Sequence, residues 1–84
     1  MEKKEIGRVS HYFGGPGVAA IELTDRIAVG DRISFAGHTT DFEMTVESMQ
    51  IEHASVQQAG RGESIGIKVP QKVREHDAVF KIVG

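Results

Sequence analysis

Asp41-Phe42-Glu43-Met44-Thr45-Val46-Glu47-Ser48-Met49-Gln50-Ile51 is the stretch whose reading decides the fold. From Asp41 to Glu47 the apolar side chains Phe42, Met44 and Val46 alternate with Asp41, Glu43, Thr45 and Glu47. Successive side chains leave a strand on opposite sides, so a period of two is that of a β-strand with one dry and one wet face. Past Val46 the phase slips by one, because Met49 and Ile51 are the apolar residues. One extra residue near Ser48, a β-bulge, would bring both halves onto one core face and bend the strand. A long bent strand is how a small barrel turns a corner.

Outward from that stretch, the chain reads as short β segments punctuated by glycine and proline. Asp31 to Ala36 precedes it, entered through Gly30-Asp31 and left through Gly37-His38, and Thr24 to Gly30 is a connector. Ile6 to Phe13 and Val18 to Leu23 flank Gly14-Gly15-Pro16-Gly17, whose glycines reach positive φ at little cost, and together form a hairpin. On the other side, Ala54 to Gly62 reads as a loop with one helical turn over Val56 to Ala59. Ile65, Ile67 and Val69 then alternate until Pro70, and Ala78 to Val83 is the last strand. No segment supports a long amphipathic helix, and there is no internal repeat. The prediction is an all-β fold, a six-stranded closed or nearly closed barrel, because closure removes the edges that invite aggregation. The four phenylalanines are expected in its core, which leaves Tyr12 as the exposed aromatic.

Composition narrows the function classes. Eighty-four residues fit one domain, 1–84, able to bury only about 60% of its unfolded surface. Net charge is −2, but its distribution is uneven. Met1 to Thr40 sums to zero, Asp41 to Gly60 holds four acids and no base, and Arg61 to Gly84 holds five bases and three acids. With no cysteine, a disulfide scaffold, a thiolate nucleophile and a cysteine zinc site are excluded. Met-Glu-Lys-Lys-Glu has no apolar run behind it and does not read as a signal peptide. No run approaches the roughly 18 apolar residues of a membrane helix. The expected setting is cytoplasmic, with no membrane partner.

Few constellations carry chemistry. Gly60-Arg61-Gly62-Glu63-Ser64-Ile65-Gly66 echoes a dinucleotide fingerprint, but it precedes a strand and its last glycine is one position late, so it reads as a turn. His11, His38, His53 and His76 form no pair at chelating spacing. Glu52-His53 is a weak ligand site that needs a third partner from elsewhere. No Ser, His and Asp lie in a nucleophile-elbow context. The expectation is therefore no enzyme, no metal and no cofactor. The remaining lead is basic: Arg8 on the first strand, with Arg61, Lys68, Lys72 and Arg74 in and around the fifth, suited to phosphate contacts.

Val29-Gly30-Asp31-Arg32-Ile33-Ser34-Phe35, Val46 to His53, Ala59 to Val69 with Ile65-Gly66-Ile67, and Asp77-Ala78-Val79-Phe80 follow one another in a recognisable order. The order resembles the second, β-barrel domain of translation elongation factors that carry aminoacyl-tRNA, and the likeness runs from about Ile6 to Val83. It implies a Greek-key barrel of the translation-protein type, without the GTPase domain of the factors. The factors' histidine after the strand falls on Glu52 here and their asparagine on Ser64. The C-terminal barrel of collagenase-like peptidases is also similar, in its Gly-Asp turn and in a strand like Phe42 to Val46. The small barrel subunit of box H/ACA ribonucleoproteins resembles Gly7 to Tyr12. The resemblance implies a non-catalytic accessory barrel that binds RNA (tRNA or rRNA) or a translation-related protein, and not DNA, through Arg8, Arg61, Lys68, Lys72 and Arg74. The alternative is a protein-docking module for a separately encoded enzyme or GTPase, using apolar residues such as Val56 and Val73.

Overall fold

The computed structural model describes residues 2–83, and among them every regular element is a strand. The strands are β1 (Glu2–Phe13), β2 (Val18–Leu23), β3 (Ile27–Ala28), β4 (Arg32–Ala36), β5 (Asp41–Thr45), β6 (Met49–Ile51), β7 (Ala54–Val56), β8 (Gln58–Ala59), β9 (Ser64–Lys68) and β10 (Ala78–Val83). Eight of them form one sheet in the order β5-β4-β10-β1-β2-β9-β6-β7, and β3 pairs with β8. All of the pairings are antiparallel. The all-β class expected from the alternation is correct.

Two expectations need correction. The segment from Val56 to Ala59 is not a helical turn, because Ala54–Val56 pairs with β6 and Gln58–Ala59 pairs with β3. The sheet is also not a closed six-stranded barrel. Its hydrogen-bonded order has two ends, β5 and β7. The cause lies in the opening stretch itself. Val46-Glu47-Ser48 carries the chain away from β4, the partner of β5, to β9, which β6 meets at a single ladder pair, Gln50 with Gly66. The phase slip thus marks a corner at which one segment exchanges partners.

The sheet curls round one core, to which the β3–β8 pair adds Ile27 and Ala59. Phe35 of β4 and Met49 of β6, near opposite ends of the strand order, are both buried there, together with Ile21, Ile33, Val46 and Val79. Phe35 and Phe42 stack across β4 and β5 with centroids 4.9 Å apart. Val73, in the loop before β10, is 1% exposed. It belongs to this core and cannot serve as the docking residue expected above; Val56 is half-buried against it.

Turns join the strands where the backbone demands it. Gly17 (φ 72°) ends the β1–β2 tip, its N–H donating to the Phe13 carbonyl. Gly30 (φ 99°) donates to Val46, which in turn donates to Asp31, and so seats the corner beside β4. At the surface, Lys4 holds the Asp25 carboxylate at 2.7 Å. That hydrogen bond, with one from the Arg26 N–H, lowers the pKa of Asp25 below its ordinary value.

Candidate functional site

The most site-like feature lies on the outer face of β1, β2, β9 and β6. Its position follows from a bulge at Ser10, where the β1–β2 register steps from Val9 with Ile21 to His11 with Ala20. The extra residue reverses the facing of everything after it. Tyr12 therefore packs against the core, and Phe13 projects outward, 48% exposed. This corrects the expectation that Tyr12 is the exposed aromatic and that Phe13 is core.

Below that bulge a cross-strand row runs His11, Ala20, Gly66, Gln50. Its two middle residues are the smallest, so the sheet surface dips there. A Cβ built on Gly66 would lie 3.4 Å from Val18 Cγ1, in ordinary contact. Phe13 and Pro16 of the hairpin tip line one side of the resulting groove, and Glu52 and His53 of the β6–β7 turn line another. Its volume is about 510 Å³, with Val18, Ile65 and Ser64 completing the lining. His11 stands edge-on to Phe13 with ring centroids 4.5 Å apart, and its Nδ1 lies 3.7 Å from Glu75 Oε1. Phe13 thus has an aromatic neighbour on its own strand.

Glu52 and His53 both take positive φ, 49° and 67°. They are the two loop residues between the paired Ile51 and Ala54, and two positive φ values define the type I′ hairpin turn. Non-glycine residues adopt this conformation at a cost of about 1–2 kcal/mol each. Residues held in such a conformation cluster at functional sites. Among the described residues no third metal-binding side chain joins them. The chemistry on offer is that of an apolar cleft with a carboxylate and an imidazole at its rim, which suits binding.

The five basic candidates do not converge. Arg8 faces Glu22 across β1 and β2. Arg61 occupies the turn whose Gly62 N–H donates to Leu23, at one end of β2, and Lys68 pairs with Val18 at the other. Six residues of strand separate those ends by about 16 Å. Lys72 and Arg74 lie in the loop after β9, and His76 in that loop donates its N–H to Val9, next to Arg8. Only that loop and Arg8 are brought together.

An all-β domain with an outer-face cleft is what the fold and the site define. No protein-family model matches the chain. It is 44% identical over 79 residues to an uncharacterized protease of Methanocaldococcus jannaschii, covering 93% of this chain and 19% of that protein. It is 33% identical over 82 residues to a collagenase of Porphyromonas gingivalis, covering 95% of this chain and 23% of that protein. The chain thus spans about a fifth of the length of these relatives. In structure it matches the C-terminal domain of a protein described as a U32 peptidase in Geobacillus thermoleovorans. That match has a TM-score of 0.89 and 19% identity, over 95% of this chain and 93% of that one.

These findings overturn the elongation-factor resemblance, and with it the translation and RNA-binding reading of the chain's function. The Gly-Asp turns and alternating strands that carried the likeness are properties of a shared architecture, and architecture does not carry function. The expectation of no enzyme is overturned too, since the relatives are named as proteases and collagenases. The similarity to collagenase-like peptidases is the one that agrees with the comparisons. The docking alternative agrees in part, because those relatives tie this kind of domain to an enzyme family.

Proposed function

We propose that the chain serves as the C-terminal-type domain of a U32-family peptidase, and that it presents polypeptide to a catalytic part of the kind that makes up the rest of its relatives. The observation that carries this reading is the 44% identity to a protease along 93% of the chain. The cleft adds support: an apolar floor between the exposed Phe13 and a strained Glu52-His53 turn suits a side chain of a polypeptide. We also infer that the barrel plan expected from the sequence applies in an opened form. β5 and β6 stand near opposite ends of the sheet order, yet they follow one another with only Val46-Glu47-Ser48 between them. Counted as one bent strand, they reduce the large sheet, apart from β7, to six strands with a seam between β5 and β9.

The test uses the Porphyromonas gingivalis collagenase, whose 82-residue match to this chain can be deleted or replaced by it. Deletion is expected to lower cleavage of collagen, and replacement to restore most of it. A deletion variant that stays folded and cleaves at the parental rate would remove the reading, as would a folded chimera no more active than the deletion.

A further inference from the structure

Strand β5 ends the eight-stranded sheet, and its outer edge carries unused backbone groups. Val46 donates its N–H to Asp31, and Gly37 donates to the Thr40 carbonyl, so positions 46 and 40 are both bonded toward β4. Antiparallel ladders alternate, which makes Met44 with Ile33 and Phe42 with Phe35 the bonded pairs between them. The N–H and C=O groups of Asp41, Glu43 and Thr45 therefore point away from β4. The same alternation holds along β9. Its bonds at Val69 with Gly17 and at Glu63 with Leu23 turn the Lys68 backbone away from β2. Between these two edges lies a groove of about 480 Å³, lined by Met44, Thr45, Glu47 and Ser48 on one wall and Lys68, Val69 and Pro70 on the other. Phe42 and Met44 face the core yet are only half-buried, because this flank is uncovered among the described residues.

We propose that this seam binds an extended polypeptide strand with basic residues at alternating positions, added to the free edge of β5. Main-chain hydrogen bonding to Asp41, Glu43 and Thr45 supplies the register, and Met44 and Val69 receive its apolar face. The charge of the occupant follows from the edge. Asp41 and Glu43 project from β5 and Glu47 follows; Arg32 Nε lies 3.7 Å from Glu43 Oε1 and Lys68 stands on the far wall, so Asp41 and Glu47 are the carboxylates of this edge outside an ion pair among the described residues. Opposite charges across a strand pair attract and like charges repel. A second copy of β5 would set acid against acid, so self-pairing is disfavoured. The occupant is a segment of substrate polypeptide; that source rests on the peptidase reading, whereas strand capture does not.

The test takes the 84-residue protein and a labelled eight-residue peptide alternating lysine and valine. Two control peptides accompany it: one with glutamate in place of lysine, and one N-methylated at alternate amides. The lysine peptide is expected to bind and to move the amide NMR signals of Asp41, Glu43, Thr45 and Lys68, and both controls are expected to fail. Glu43→Lys should weaken binding about fivefold through charge alone. Thr45→Pro removes an N–H that β4 does not use, a position where an edge strand tolerates proline, and should abolish binding while the fold persists. Equal binding of the N-methylated peptide, signals that move only around Glu52 and His53, or no binding of the lysine peptide would each overturn the proposal. Concentration-dependent dimerisation through β5 would overturn it as well. No protease part enters this assay, so a failed collagenase chimera with a positive peptide result would remove the peptidase reading and the assigned source, and leave strand capture standing.

Discussion

Asp77 is 5% exposed, and its carboxylate has two partners from different turns. Thr40 Oγ1 donates to its Oδ2 at 2.5 Å, and the Arg74 N–H donates to the same oxygen at 2.9 Å. Gly37 packs so closely that a Cβ there would overlap the carboxylate. The side chain thus clasps the β4–β5 turn to the loop that leads into β10. Hydrogen bonds to a charged group contribute about 1.5–3 kcal/mol, and a stranded donor adds its own penalty. Asp77→Ala is therefore expected to lower unfolding stability by about 2–3 kcal/mol, read as a lower urea midpoint with unchanged slope. Gly37→Ala should lose about 1–3 kcal/mol by overpacking. Wild-type midpoints for both variants would show that the clasp contributes nothing. None of this was legible in the sequence, where Gly37-His38 reads as a turn and Asp77 as one acid among twelve.

At the scale of the element, the β6–β7 hairpin sets rim chemistry against local stability. Its turn needs two left-handed residues, the geometry for which Asn-Gly is preferred, and the chain has Glu52-His53 there. Replacing the pair by Asn-Gly is expected to raise stability by about 1–2 kcal/mol, and so to raise Tm by roughly 4–8 °C for each kcal/mol. The same change removes both rim side chains of the cleft. A lower melting temperature in differential scanning calorimetry would mean that Glu52 and His53 hold the turn by contacts worth more than the strain. Lacking Asn and Gly, the pair reads in sequence as a ligand couple, and the two-residue hairpin is hidden. Phe13 was hidden for a related reason. Its outward facing depends on the bulge at Ser10, and alternation from the buried Val9 assigns it to the wrong side. The one available signal was Gly66, a glycine inside a strand, which often marks a place of close approach.

For the molecule as a whole, the decisive element is β10. It lies between β4 and β1, joining the last residues of the chain to the first. Removing 78–84 would take away the fully buried Val79 and two ladders at once, and would split the sheet into pieces that cannot cover a common core. The shortened chain is expected to show no cooperative thermal transition by circular dichroism. A sigmoidal melt from it would show that β1, β2 and β9 form a core without β10. The seam beside β5 belongs to this scale too, since it exists only because two chain-distant edges face each other across a gap.

Alternation at Phe42, Met44 and Val46, the phase slip after Val46 and the glycine turns determined by themselves that this protein is all-β, with a corner in its fourth predicted strand. Those signals are local, since facing and turning depend on a residue and its near neighbours in the chain. Tertiary structure alone decided the partners: that β6 leaves β4 for β9, that the sheet stays open at β5, and that Lys68 and Arg61 stand at opposite ends of β9. Strand pairing is a choice among distant segments with similar patterns. It is settled by how one small core can be covered, a condition that no local stretch of sequence contains.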